Sequence, residues 1–293
     1  MSIAEPKHPK ADSGDRVRLG LIGDNIARSR SPDLHRLAGK LCGLDVSYEL
    51  FVPPDMGSDF DAVFDACRAS GVRGLNVTYP YKETVVERIR TAGEDVQRIG
   101  SVNTVVFGER GPIGHNTDHS GFLAAYRATF GQMQPGRTAL VGAGGVGKAV
   151  AFGLAALGAR EIAVIDRDEE RARGLAEAVA AYSEGDVSTT FAVDAREALR
   201  SADGIVNCTP LGMVGYPGSA VPLDLLGSQR WAFEAVYTPV DTPFKLAAEA
   251  SGLKVLSGFE LFFHQGVDAF RIFTGLTPDL TALRRLLVEA ASN

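Results

Sequence analysis

Short apolar runs alternate along the chain with stretches in which apolar positions recur at helical spacing. The first run, "VRLGLIG", reads as a strand, and "SPDLHRLAGKLCG" follows with Leu34, Leu37, Ala38 and Leu41 on one helical face. Ser31 and Pro32 form a helix-start pair, an N-cap followed by proline at the first helical position. "VSYELFV" predicts a second strand, "DFDAVFDACRAS" a second helix, "GLNVT" a third strand and "ETVVERIRTAG" a third helix. "SVNTVVF" and "GPIGHNTD" read as two short strands around a Gly-Arg turn. Such alternation with short connections predicts a largely parallel sheet covered by helices.

Near Asp118 the rhythm restarts. The helix "SGFLAAYRATFG" leads through "QMQPG" to the strand "RTALVG", and "EIAVID", "STTFAV", "GIVNCT", "WAFEAVY" and "LKVLSG" follow, interleaved with helices such as "EERARGLAEAVAAY". This predicts a second α/β unit. The last two helices, "FELFFHQGVDAFRIFTG" and "DLTALRRLLVEAA", have no strand after them, and the first is apolar on most sides, so it must be buried. They are expected to cross back onto the N-terminal unit. The chain therefore divides into residues 1–117 plus 260–293, and residues 118–259.

Composition changes this picture little. Of 293 residues, 45% are hydrophobic and 23% charged, the balance of a soluble globular protein. A net charge of −6 without a cluster of Lys and Arg points away from nucleic acid. Cys42, Cys67 and Cys208 lie far apart among apolar residues and read as buried free thiols of a reducing compartment. The histidines lack ligand spacing, so no metal is expected. "MSIAEPKHPKADSGDR" is polar, without a signal core, and reads as a disordered leader. No apolar run approaches the roughly 18 residues of a membrane span. The expectation is a cytoplasmic protein acting on small molecules, as a monomer or homodimer.

One glycine cluster carries specific chemistry. "ALVGAGGVGKAV" holds Gly142-x-Gly144-x-x-Gly147 directly after a strand and opening a helix. The first glycine makes a tight turn, the second admits a pyrophosphate to the backbone, and the third lets helix and strand pack closely. Backbone N–H groups at the helix start then face the phosphates. Asp166 ends "EIAVID", 19 residues beyond Gly147, where a carboxylate accepts from a ribose and repels a 2′-phosphate. That argues for NAD over NADP. Arg167, next in sequence, leaves NADP open, because it can stack on adenine or meet a phosphate.

A nicotinamide enzyme that oxidises an alcohol must remove a proton as hydride leaves, and a Lys or Asp in reach can do so. Lys82, Asn103 and Asp118, with Thr78, fall at predicted strand ends of the first unit, the edge where ligands of α/β folds bind. Each has a plainer reading. Lys82 can be a solvated loop lysine, Asn103 a turn residue and Asp118 the N-cap of "HSGFLAAY".

Together and in this order, "SRSPDLH", "GLNVTYPYKE", "SVNTV", "GHNTD", "GAGGVG" and "FFHQ" resemble the shikimate dehydrogenase family, from about Arg18 to the C-terminal helices. The resemblance implies a substrate domain and a Rossmann dinucleotide domain with the active site in the cleft between them, the last helices returning to the first domain. It implies oxidation of shikimate to 3-dehydroshikimate, with quinate as a further substrate. By the same resemblance Lys82 and Asp118 match the catalytic pair, Ser29 and Ser31 the hydroxyls that hold the substrate carboxylate, and Thr78, Asn103 and Gln265 the binders of ring hydroxyls. Tyr237, in "AVYTP", matches a tyrosine near the substrate. The cofactor set is Gly142, Ala143, Gly144, Gly145, Val146, Gly147, Asp166 and Arg167, joined by Thr209 and Gly258.

This chain departs from the family pattern at two places. Arg28 stands where the first motif usually has histidine, with Arg30 close by; extra cations there can strengthen anion binding or be solvated rim charges. Tyr79 replaces the smaller apolar residue of biosynthetic members and, with Asp166, resembles the NAD-dependent quinate/shikimate branch. The paired serines resemble shikimate-specific members instead. Two alternatives remain: a dehydrogenase of an aminoshikimate-like or other cyclohexene-carboxylate analogue, and a non-catalytic dinucleotide-binding regulator.

Overall fold

The computed structural model describes residues 11–12, 16–192 and 194–291. Most of the expected leader lies outside these. Ala11, however, is buried, and its N–H donates to the Thr274 carbonyl at 2.9 Å.

The chain forms two compact units, residues 1–117 with 265–293 and residues 118–264. In the first, β1 (Arg16–Ile22), α1 (Ser31–Leu41), β2 (Asp45–Phe51), α2 (Phe60–Ala69) and β3 (Gly74–Val77) follow the apolar rhythm. Then come β4 (Arg90–Thr91), α3 (Glu94–Ile99), β5 (Thr104–Gly108) and β6 (Gly111–His115). The sheet order is β2-β1-β3-β5-β6-β4. It is largely parallel, as expected, with one exception: β5 runs antiparallel to both β3 and β6, and the other five strands share one direction. The cause is local, because β5 and β6 are joined by only Glu109 and Arg110, and so short a loop permits only a hairpin.

The third helix expected over "ETVVERIRTAG" is a 3-10 turn, Thr84–Arg88, running into β4. Thr84, Val85 and Val86 are β-branched and lose rotamer freedom in an α-helix. Burying Val85 in the core settles the shorter form. The helix start also differs. Ser31 is the first helical residue and Arg30 the N-cap, without a side-chain cap. Ser29 supplies the acceptor instead, its Oγ taking the Ser31 N–H at 3.2 Å.

The core of this unit lies against one sheet face, where Phe60, Val63 and Phe64 of α2 pack with Leu75, Val77 and Val105. Tyr48 is buried elsewhere in the unit, and its ring stacks on His35 of α1 at 4.8 Å.

The second unit carries α4 (Thr117–Phe130, from its second residue), β7 (Arg137–Val141), α5 (Gly145–Ala156), β8 (Glu161–Ile165), α6 (Glu169–Tyr182), β9 (Ser188–Phe191) and α7 (Ala195–Ser201). β10 (Gly204–Asn207), β11 (Trp231–Glu234), α8 (Pro243–Ala250) and β12 (Lys254–Leu256) follow. α9 (Gly258–Thr274) starts in this unit and ends in the first, which also holds α10 (Leu280–Ala291). The sheet order β12-β11-β10-β7-β8-β9 is parallel throughout. Its order reverses at β7, so a crevice opens outside the carboxyl ends of β7 and β10.

Trp231, fully buried, meets Tyr126 edge-on at 5.3 Å and donates its indole N–H to Pro135 O at 3.1 Å. Burial of a side chain this large stabilises by about 1.5–3 kcal/mol. Cys67 is buried, but Cys42 and Cys208 are only half-buried, against the expectation for all three. Among the described residues, no helix is long and apolar enough to cross a membrane.

Candidate active site and dinucleotide site

At the carboxyl end of β7 the glycines take the places their chemistry requires. Gly142 has φ +102, a conformation that favours glycine, and its N–H donates to Ile165 O at 2.8 Å. A Cβ at Gly147 would overlap the Gly142 carbonyl, so strand and helix approach this closely only with glycine there. Gly144, the N-cap of α5, has nothing within 4 Å of where a Cβ would stand. That open side lies beside the N–H groups of the first turn, including those of Gly145 and Val146, as a pyrophosphate needs.

Asp166 follows β8. Its Oδ2 accepts from Ala143 N at 2.7 Å and its Oδ1 from Asp168 N at 3.0 Å, so the carboxylate is fixed against the glycine loop. Arg167 is exposed. Thr209 follows β10 and is held by Asn207, whose Oδ1 accepts from the Thr209 N–H at 3.1 Å and hydroxyl at 2.8 Å. Gly258 opens α9 where a Cβ would come within 2.5 Å of the Ala235 and Val236 carbonyls. Tyr237 lies in the loop after β11, stacked on Phe262 with centroids 4.7 Å apart.

In the first unit, the loop after β1 is pinned to the loop after β3. Asp24 N donates to Tyr79 O at 2.9 Å, and the Tyr81 hydroxyl donates to Asp24 Oδ1 at 3.0 Å. Burial first, then that hydrogen bond, pushes the Tyr81 phenol up to about 12. Ser29 and Ser31 are half-buried neighbours, their hydroxyls 3.2 Å apart. Two hydroxyls at a helix start suit a carboxylate. Arg28 is exposed, whereas the Arg30 guanidinium donates to the Leu287 carbonyl in the last part of α10.

Thr78 and Lys82 are both half-buried. Thr78 N donates to Ile22 O at 3.0 Å, and the Lys82 carbonyl accepts from Val102 N at 2.8 Å. Val102 precedes Asn103, a buried residue that joins the parts. Its Nδ2 donates to Thr117 Oγ1 at 2.9 Å and to Gln265 Oε1 at 3.4 Å, while its Oδ1 accepts from Thr117 N at 2.7 Å. Asp118, 5% exposed, comes next in α4. Hydrogen bonds thus bring Asn103, Thr117 and Gln265 together, and the Lys82 carbonyl is bonded to the residue before Asn103.

Residue reading missed Thr117, Asn207 and Glu234. A signal existed for the last two, since each is a polar residue ending an otherwise apolar strand run, "GIVN" and "WAFE".

A glycine-rich turn at the reversal point of a parallel sheet, followed by a helix and a fixed carboxylate, defines a nicotinamide-type dinucleotide-binding α/β protein with a second α/β unit. Residues 21–105 match the family model described as the shikimate dehydrogenase substrate binding domain. Residues 137–216 match one described as NADP oxidoreductase, coenzyme F420-dependent. A quinate/shikimate dehydrogenase (NAD(+)) of Corynebacterium efficiens is 39% identical, covering 92% of this chain and 97% of its own. Among solved structures, quinate dehydrogenase from Corynebacterium glutamicum in complex with NAD superposes with a TM-score of 0.85 at 36% identity, over 94% of this chain and 100% of that one. Shikimate 5-dehydrogenase from Thermus thermophilus, in complex with NADP(H) and shikimate, gives 0.81 at 34% identity, over 94% and 99%. The chain belongs to the shikimate dehydrogenase family.

Proposed function

We propose that this chain interconverts shikimate and 3-dehydroshikimate, and quinate and 3-dehydroquinate, with NAD ahead of NADP. The bound dinucleotide supplies the hydride acceptor. The rest falls to the chain's side chains. Ser29 and Ser31 hold the substrate carboxylate, Thr78, Asn103 and Gln265 orient the ring hydroxyls, and Tyr237 borders the substrate. As the C–H bond breaks and the C=O bond forms, the hydroxyl proton passes to the Lys82–Asp118 pair, which acts as one coupled unit. The observation that supports this reading is the Asn103 junction, which joins Gln265 and Thr117 by hydrogen bonds, with the Lys82 carbonyl bonded to Val102, the residue before Asn103.

The cofactor preference follows from magnitudes. A carboxylate and a phosphate charge 4 Å apart repel by about 4 kcal/mol at a surface-like dielectric. An exposed arginine pair returns only about 0–1 kcal/mol. Asp166 is held in place by two backbone N–H groups and Arg167 is exposed, so the repulsion prevails. The setting we assign is cytoplasmic, in keeping with three cysteines outside any disulfide, with a monomer or homodimer to be distinguished by sedimentation.

Steady-state kinetics with shikimate and quinate, each against NAD and NADP, tests this. We expect turnover of both substrates and a higher kcat/KM with NAD. An NADP preference would overturn the role of Asp166, and no change in NADH absorbance with either substrate would overturn the reading itself.

A further inference from the structure

Glu234 ends β11 fully buried, and neither the glycine loop nor the Lys82 site makes use of it. Its Oε1 accepts from Asn207 Nδ2 at 2.9 Å and from Val236 N at 3.0 Å. Its Oε2 accepts from the Thr242 hydroxyl at 2.6 Å. Each partner leads to a different segment. Asn207 holds Thr209 in the loop after β10. Val236 precedes Tyr237, and its carbonyl lies against Gly258. Thr242 caps α8 by accepting Lys245 N at 3.1 Å. One carboxyl group therefore ties together the two loops at the carboxyl edge of the sheet and the helix after them.

We infer that Glu234 is a positioning residue whose ionised carboxylate holds the loops bearing Thr209 and Tyr237 in their working arrangement, and that a proton on it loosens them. This rests on the dehydrogenase reading above. All three bonds need an acceptor, and a carboxylate is an acceptor only. A protonated Glu234 must donate with one oxygen. The nearest candidate to receive that proton is Thr242 Oγ1, whose own hydrogen would then lose its partner in a buried site.

The groups facing the carboxyl are neutral: Asn207 from β10, Val236 N–H beyond the end of β11, and Thr242 at the start of α8. Lys245, one turn further along α8, is engaged with Asp241 and Glu249. Burial raises the Glu234 carboxyl to about 7, with the bonds from Thr242, Val236 and Asn207 opposing. The change of state thus falls near neutrality.

Glu234→Gln is the test, since glutamine mimics the protonated side chain in size. At pH 8.5 the variant should turn over about tenfold more slowly, a modest share of what misplacement of reacting groups can cost. At pH 6, where the wild-type carboxyl also carries its proton, the two should converge. Without any dinucleotide or substrate, wild-type stability should fall as pH rises from about 4.5 to about 7, because the folded state holds a proton that the unfolded state has released. The glutamine variant should lack that slope. A rate ratio constant from pH 6 to 8.5, or equal rates throughout, would overturn the proposal. Should the variant not fold, Glu234→Asp keeps an ionisable group and must retain a pH step in kcat; a flat profile would overturn it equally. Loss of all wild-type turnover would indict the dehydrogenase reading instead, leaving the slope in unliganded stability to judge Glu234.

Discussion

Lys82 follows Tyr81 and its tie to Asp24, and its own carbonyl is bonded to the residue before Asn103, so its backbone is held from both sides. Removing the amine should cost the proton transfer and leave dinucleotide binding alone. Lys82→Ala is expected to lower kcat by about 10² or more, with NADH affinity by fluorescence titration nearly unchanged. Unaltered turnover would take the proton from Lys82. Residue-level reading singled out Lys82, Asn103 and Asp118 as candidates because polar groups stand out where apolar strands end, and the family resemblance gave them their roles. It did not find Thr117, because a threonine beside an aspartate at a helix start reads as capping chemistry; only the fold brings it against Asn103, 14 residues away. Tyr79, the unusual residue of "NVTYPYK", is 63% exposed, so its ring is not bound into the core.

At the scale of elements, the glycine loop separates two duties that its spacing alone cannot. Gly147→Ala must displace the Gly142 carbonyl and should lower both thermal stability and nucleotide affinity. Gly144→Ala meets no protein atom within 4 Å. It should leave the melting temperature within a degree or so of wild type while weakening NADH binding at least about tenfold, or 1.4 kcal/mol, if the pyrophosphate sits there. Equal affinity in the Gly144 variant would move the phosphates elsewhere. The second unit was legible because its central strands β7, β10 and β11 are mostly apolar, buried runs, the mark of a sheet covered on both faces. The first was less so: a β-branched run mimicked a helix, and β5 alone runs against a rhythm that reads as parallel.

For the whole molecule, burial makes stability depend on pH through each unit separately. His35 in the first unit lies between Tyr48, Phe270 and Phe273, and burial lowers it to about 3, with Asn76 opposing. The unfolded chain binds a proton there between about pH 6.5 and 3 while the folded chain does not, so this group makes stability fall as pH falls through that window. His35→Gln should flatten that part of a denaturation-versus-pH curve, and an unchanged slope would assign the acid sensitivity elsewhere. Glu234 acts in the opposite sense, from the second unit.

The rings that enclose His35 also set an order of events. Phe270 and Phe273 belong to α9, yet they complete a core begun by α1 and β2. On the ribosome, residues 118–264 must emerge before those rings exist, a delay on the order of ten seconds at 5–20 residues per second. The first unit's six strands are out before the second unit begins, yet for that interval its core lacks these rings and stands with its apolar side open, the window in which a chaperone would find it.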